Sequence, residues 1–243
     1  MKHFTLKIQR YDPEKEKVFF EEHQIPFSKD FTVLDALNYV KDKTGATLAY
    51  RWACRMGICG SCGAIINGKP VLMCSTFCRD LKSPIKIQPL ANFPVVKDLI
   101  VDTDSAMEKF RSAMPYTRIQ KQHISPEEET IQTPAQRKKI EQTSQCIKCM
   151  LCYSACPVYG LNNSFVGPAA GALAYRYNKD TRDRIKDKRM DEMTRSDGVY
   201  NCSFIGECSQ ACPKSVDPAA AMQKLKVAGI FHAVKSIIKK RRK

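Results

Sequence analysis

Eleven of the twelve cysteines in this 243-residue chain fall into three runs whose spacings belong to metal–thiolate chemistry. Cys54, Cys59 and Cys62 lie in the segment CRMGICGSC, and Cys74 follows at a distance, the C-x4-C-x2-C plus distant C spacing that holds a [2Fe–2S] cluster. Three thiolates from one tight loop must close round a cluster whose sulfides accept backbone N–H bonds, so the loop has to turn inward. Gly57, Gly60 and Gly63 are expected to supply that freedom, because glycine adopts positive φ without a Cβ clash. A four-cysteine zinc site competes for the same side chains, but it ordinarily joins two short Cys-x2–4-Cys clips. Cys78 has no place in the pattern and is expected to be a small buried hydrophobe.

The other runs form a pair. Cys146, Cys149, Cys152 and Cys156-Pro157 make C-x2-C-x2-C-x3-C-P, in which the fourth cysteine serves a neighbouring cluster. The partner run, Cys202, Cys208 and Cys212-Pro213, matches it except that Ile205 stands where the second cysteine would be. Crossing the fourth cysteines gives one complete set, Cys146, Cys149, Cys152 and Cys212, for a [4Fe–4S] cluster. The incomplete set is Cys156, Cys202 and Cys208. With an apolar side chain in the remaining place, the expected species is [3Fe–4S], and a [4Fe–4S] cluster with one open iron is the alternative.

These runs need two kinds of scaffold. Up to about Asn92 the chain reads as strand: Phe4, Leu6 and Ile8 alternate with polar residues, Val18 to Phe20 is β-rich, and Ile85 and Ile87 alternate again. One helix interrupts this, with Thr32 as N-cap, Leu34, Leu37 and Val40 at helical spacing, and Gly45 as stop. Ala64–Ile66, Asn67-Gly68 and Val71–Met73 read as a hairpin. Beyond Pro94 helices are expected at Leu99–Met114, Pro168–Tyr177 and Pro218–Ile238, with an exposed connection at Ser125–Pro134. The fold expected is α+β: an N-terminal β-grasp [2Fe–2S] ferredoxin-like domain over residues 1–97, then an all-α domain over 98–243 carrying bacterial-ferredoxin-type cluster loops. No fixed-period repeat is found.

Composition narrows the functions. No apolar stretch approaches the roughly 20 residues that span a bilayer, and the opening Met1, Lys2, His3 begins no signal peptide, so neither a membrane span nor export is expected. A disulfide framework is then the lesser use of twelve cysteines. The net charge of +15 suits an anionic membrane surface, an acidic partner or nucleic acid, but aromatic residues are not interleaved with the basic ones as a nucleic-acid stacking platform requires. The alternative of a different class is a zinc-structured basic binding protein. His3, His23, His123 and His232 lie far apart and read as surface or packing residues. With no nucleotide, flavin or hydrolase motif of its own, a chain of three clusters reads as an electron carrier.

Nearly the whole chain resembles the iron–sulfur subunits of fumarate reductases and succinate dehydrogenases. The likeness is carried by YRWACRMGICGSCG, ANFPVVKDLIVD, IQTPAQ and GPAA followed by AYRYNKDTRD. Cys62, where some related bacterial succinate dehydrogenases place an aspartate, and Gly160-Leu161, where they carry tryptophans, favour the fumarate reductase form. The resemblance implies an FAD-containing flavoprotein partner, two membrane anchor subunits, menaquinol as donor, and a peripheral place on the cytoplasmic face of the inner membrane. It also implies that Gln223 and Lys226 border the quinone, where a lysine could hydrogen-bond a quinone oxygen. From the residues alone, Lys226 reads as a solvated lysine on a helix face. The run Lys239 to Lys243 fits an anionic leaflet as well as it fits plain solvent.

Overall fold

The computed structural model of the chain describes residues 3–119 and 129–241. Its strands are β1 (His3–Asp12), β2 (Lys17–Pro26), β3 (Gly63–Ile66), β4 (Lys69–Leu72), β5 (Ile85–Gln88), β6 (Val95–Lys97) and β7 (Ile100–Val101). Its helices are α1 (Val33–Thr44), α2 (Asp104–Ser112), α3 (Pro134–Ser144), α4 (Leu151–Ser154), α5 (Pro157–Leu161), α6 (Pro168–Lys179), α7 (Lys186–Met193), α8 (Glu207–Gln210) and α9 (Pro218–Arg241). Two compact units result: Met1–Asp104 with Ile147–Ala155, and Ser105–Cys146 with Cys156–Lys243. The division differs from two contiguous halves, because the middle of the second cysteine run belongs to the first unit. Part of the expected connection at Ser125–Pro134, and His123, lie outside the described residues.

The first unit is a mixed five-stranded sheet in the order β2-β1-β5-β3-β4, with β1 and β5 parallel and the other neighbours antiparallel. Alternation along β1 sends Phe4, Leu6 and Ile8 inward, and α1 buries Val33, Leu34, Ala36, Leu37 and Val40. Each large apolar side chain fully withdrawn from water contributes about 1.5–3 kcal/mol. Thr32 caps α1 in a reciprocal box with Asp35, and Gly45 ends it at φ 65°. Asn67 and Gly68, both at positive φ, close the β3–β4 hairpin. A sheet with one helix in this order is a β-grasp.

A buried ion pair fixes the approach to the first cysteine loop. Arg10 Nε donates to Asp98 Oδ1 at 2.8 Å, Ala49 N donates to Asp98 Oδ2 at 2.8 Å, and Arg10 Nη2 donates to Thr47 O at 3.2 Å. Asp98 is 1% exposed and adopts φ 50° in the turn between β6 and β7. That turn overturns the helix expected from Leu99. Residues 95–101 form a short hairpin with Leu99 and Val101 buried, and α2 begins only at Asp104, whose N–H bonds Asp102 Oδ1 at 2.8 Å. The helical spacing read from Leu99 was that of two strand residues followed by an Asx turn.

In the second unit α6 is lined with small residues: Ala169, Ala170, Gly171, Ala172 and Ala174 are all buried. A Cβ on Gly171 would stand 2.0 Å from Met222 Sδ, so a larger residue there would have to displace the flexible Met222 side chain where α6 meets α9. Arg189, fully buried on α7, pairs with Asp183 at 2.8 Å and donates to the carbonyls of Ala113, Met114 and Tyr116. Helices α3 and α7 were not expected. The sequence KDKRMDEM of α7 has little apolar periodicity, yet Met190, Met193 and the stem of Arg189 are buried.

Cys78 is fully buried beside α1, as expected of a small hydrophobe. Burial, and then the nearby Asp35, push its thiol up to about 12 from 9. The unfolded chain loses this proton above pH 9 and the folded one only near 12, so the stabilisation is intact below pH 9 and lost between 9 and 12. Cys78→Ala is therefore expected to flatten the fall in unfolding free energy across that alkaline window, measured by urea titration at stepped pH. Asp98→Ala removes the acceptor of Arg10 Nε and of the Ala49 N–H while Glu21 Oε2 still pairs with Arg10 Nη1 at 2.6 Å, and it is expected to cost about 1–3 kcal/mol by the same titration at neutral pH.

Candidate metal centres

The first loop points backbone donors at sulfur. The N–H groups of Met56, Ile58 and Cys59 donate to Cys54 Sγ at 3.4, 3.4 and 3.3 Å. They converge because the chain turns through positive φ at Arg55 (58°), Gly57 (66°) and Gly60 (74°). Cys59 Sγ lies 3.1 Å from the Ser61 hydroxyl; the N–H of Cys54 and the donors of Ser61 hold its thiol down to about 6. Cys62 is buried and is pushed up to about 12, by burial first, with Cys74 and Cys59 as charged neighbours. All four expected ligands are thus brought together, Cys59 exposed, Cys54 half-buried, and Cys62 and Cys74 in the interior. Such a buried thiol ionises when a cation replaces its proton, so loading releases protons.

One expectation is corrected. Gly57 and Gly60 turn at positive φ, but Gly63 does not; it lies in β3, where its lack of a side chain admits a neighbour. A Cβ there would meet Leu151 Cδ2 at 3.2 Å and Cys149 O at 3.3 Å, and one on Gly60 would meet Ile147 O at 2.9 Å and Cys149 Cα at 3.0 Å. The segment Ile147–Ala155 therefore packs directly on the first cysteine loop. Asn92, at φ 68°, secures it by donating to Tyr153 O at 2.9 Å, while Ala91 N donates to Ser154 Oγ at 2.9 Å.

The two later runs share one backbone. Lys148 and Phe204, each two residues past the opening cysteine, have φ 55° and 59°; Met150 and Gly206, each four past it, have φ 65° and 90°. The single turns α4 and α8 follow, with Cys152 and Cys208 at equivalent places. Their hydrogen bonds also correspond: Ser154 N to Met150 O and Ala155 N to Leu151 O in one, Gln210 N to Gly206 O and Ala211 N to Glu207 O in the other. Ile205 thus occupies the position of Cys149. It is 56% exposed and lines a cavity with Cys156, Cys202, Cys208, Phe165 and Ala219. Burial pushes Cys208 up to about 12, with Cys156 and Cys202 close enough to add to the shift.

Of the other four cysteines, Cys149 and Cys152 lie in the first unit and Cys146 and Cys212 in the second. Cys146 and Cys212 pack against Ala172, Val216 and Ala221. None of the twelve cysteines is in a disulfide. Among the described residues, no three His, Cys, Asp or Glu side chains gather closely enough to hold a single metal ion. Thiolates that each bind a different iron stand further apart than thiolates on one ion. Eleven sulfur donors on inward-turning loops fit iron–sulfur clusters by donor type and backbone direction. Gln223 Nε2 lies 3.9 Å from Cys202 Sγ, and Lys226 Nζ donates to Cys202 O at 2.5 Å. Lys226 is thus tied to the loop rather than freely solvated.

Comparison with known proteins agrees with this construction. Residues 5–108 match a family described as a 2Fe-2S iron-sulfur cluster binding domain, and residues 142–216 one described as a 4Fe-4S dicluster domain. The fumarate reductase iron-sulfur subunit of Mycobacterium tuberculosis is 45% identical over 98% of this chain and 97% of its own length. That of Escherichia coli is 46% identical over 93% of each. The chain belongs to the family of fumarate reductase and succinate dehydrogenase iron–sulfur subunits. A succinate dehydrogenase iron-sulfur subunit of Coxiella burnetii is 34% identical over 91% of this chain and 95% of its own. Among solved structures, a chain of the Mycobacterium smegmatis Sdh1 complex in the apo form superposes with a TM-score of 0.84 at 26% identity, covering 93% of this chain and 95% of that one. As a member of this family the iron–sulfur subunit is an electron-transfer component of an oxidoreductase, and its α+β fold agrees with both domain matches.

The close approach at Gly60 gives a test. Gly60→Ala adds a Cβ against backbone at a positive φ, which costs of order 1–3 kcal/mol at such positions. The variant is expected to load its [2Fe–2S] cluster poorly, read as reduced visible absorption and a weakened paramagnetic signal after mild reduction.

Proposed function

We propose that this chain is the electron-transfer subunit of a membrane-bound quinol:fumarate reductase, taking electrons from menaquinol and delivering them to an FAD-containing flavoprotein that reduces fumarate to succinate in anaerobic respiration. In this reading Cys54, Cys59, Cys62 and Cys74 hold [2Fe–2S], Cys146, Cys149, Cys152 and Cys212 hold [4Fe–4S], and Cys156, Cys202 and Cys208 hold [3Fe–4S]. Bound in these places, the clusters supply one-electron relays in the order three-iron, four-iron, two-iron. The chain's own residues keep sulfur facing donors, bury the thiolates and hold the loops rigid. The single carrying observation is the repeated backbone of the paired runs, with isoleucine in one where the other has cysteine.

Gln223 and Lys226, both against Cys202, would border the quinone, with the lysine ammonium stabilising the oxygen that gains negative charge. Two membrane anchor subunits would hold the chain peripherally on the cytoplasmic face of the inner membrane. No helix among the described residues is long and apolar enough to cross a membrane itself. The fumarate-reducing direction is supported by the higher identity to relatives named fumarate reductase, 45% and 46%, than to the Coxiella succinate dehydrogenase subunit at 34%. Succinate oxidation, the reverse direction, is the second reading.

Electron paramagnetic resonance of the anaerobically purified chain, with iron and sulfide analysis, tests the assignment. About nine irons and about ten sulfides are expected, with an oxidised three-iron signal. Ile205→Cys is expected to abolish that signal, bring iron and sulfide toward about ten each and lower the centre's potential. An unchanged oxidised signal would overturn the ligand set. A colourless zinc protein without sulfide would overturn the function.

A further inference from the structure

The turn that aims the first cysteine loop at sulfur begins at a residue that resists it. Arg55 stands at φ 58°, a left-handed conformation that is free for glycine but carries a Cβ penalty in an L-residue. The other two left-handed steps of the loop are glycines, Gly57 and Gly60. Past Arg55 the N–H groups of Met56, Ile58 and Cys59 reach Cys54 Sγ at 3.4, 3.4 and 3.3 Å, so these contacts loosen if the turn relaxes. The Arg55 guanidinium lies over the Trp52 ring, 4.5 Å from its centroid. Trp52 is the single tryptophan of the chain and is 43% exposed, so its ring is not spent on the core. The backbone that bears it is fixed before the loop begins. Tyr50 Oη donates to Asn38 Oδ1 of α1 at 2.7 Å, and Ala49 N donates to Asp98 Oδ2 at 2.8 Å.

We propose that Trp52 is a positioning residue for the two-iron cluster: by holding the Arg55 guanidinium it keeps the turn that points three N–H donors at Cys54 sulfur, and so raises the cluster's reduction potential. The reason is electrostatic. A reduced cluster carries one more negative charge than an oxidised one, and donors aimed at a ligand sulfur stabilise the more negative state. The inference rests on the [2Fe–2S] ligand set proposed above and adds how the potential of that centre is set. Two simpler roles compete. A guanidinium charge near the loop would raise the potential with or without a ring beneath it. An indole kept solely as a contact for a partner protein would leave the potential of the isolated chain untouched. The geometry favours the clasp, because the stack falls on the one left-handed position of this loop that lacks glycine.

Redox titration of the full chain, purified anaerobically with its clusters and followed by the paramagnetic signal of the reduced two-iron centre, separates these roles. Trp52→Leu is expected to lower the reduced-to-oxidised ratio about threefold at a fixed potential, a fall of about 30 mV at about 59 mV per tenfold for one electron. It should also weaken the couplings of exchangeable protons to the reduced cluster, while the four-iron midpoint stays where it is. Trp52→Phe keeps a ring and should retain most of the unaltered midpoint. Arg55→Gly decides the matter, since glycine takes the turn without a clasp. On that background Trp52→Leu is expected to shift the midpoint no further. An additive fall in the double variant, or a lower midpoint in Arg55→Gly than in Trp52→Leu, would overturn the inference in favour of the charge. An unshifted midpoint in Trp52→Leu would overturn it in favour of the partner contact. Should Trp52→Leu fail to load its cluster, adding Arg55→Gly is expected to restore loading, and failure to do so overturns the clasp. An unaltered chain with no reduced two-iron signal would instead sink the ligand set on which the clasp rests.

Discussion

A thiolate withdrawn from water is tolerated only where hydrogen-bond donors or cations face it, because burial penalises the charged form. The cysteine loops of this chain are built around that constraint. Three backbone N–H groups converge on Cys54, and the donors around Cys59 favour its ionised form. Cys62 and Cys208, in contrast, are held strongly against ionisation by burial. The exposed and buried thiols make different demands: the former are poised to bind a cation, and the latter exclude water once they have done so.

Turning the backbone toward sulfur requires left-handed residues, and the chain places them where the adjoining structure can hold them. Arg55, Lys148, Met150 and Phe204 adopt positive φ despite their side chains, a conformation unfavourable for L-residues unless surrounding contacts enforce it. For the first loop, the Arg10–Asp98 pair fixes the residues leading in and the packed segment Ile147–Ala155 confines it from outside. In the second unit, Arg189 gathers three carbonyls and a buried carboxylate at one point. Buried ion pairs add little or no net stability relative to apolar packing, but breaking one is strongly destabilising because it leaves an uncompensated buried charge. That property suits a scaffold that must keep its loops in place.

The candidate ligands and the runs they fall in were legible in the sequence, because spacing within a loop is a local property and the runs are long; the allotment of each cysteine to a cluster is part of the proposal above. The β-grasp was legible for a similar reason: period-two alternation in β1, the Thr32 cap, the Gly45 stop and the Asn67-Gly68 turn are all local signals. Helix α7 was not, since its charged sequence buries the stem of Arg189 through contacts distant in the chain. The start of α2 was misplaced because Asp98 turns the chain only by virtue of Arg10 and Ala49, which are far away in sequence.

Sequence by itself determined which side chains could bind iron and that one of the paired runs lacks a thiol, since residue type and order carry both. Tertiary structure alone decided that Ile205 stands on the same backbone as Cys149, that Gly63 serves close approach rather than a left-handed turn, and that Lys226 is tied to the Cys202 carbonyl. Those facts depend on which distant segment fills the space beside a residue, and no local pattern encodes the neighbour.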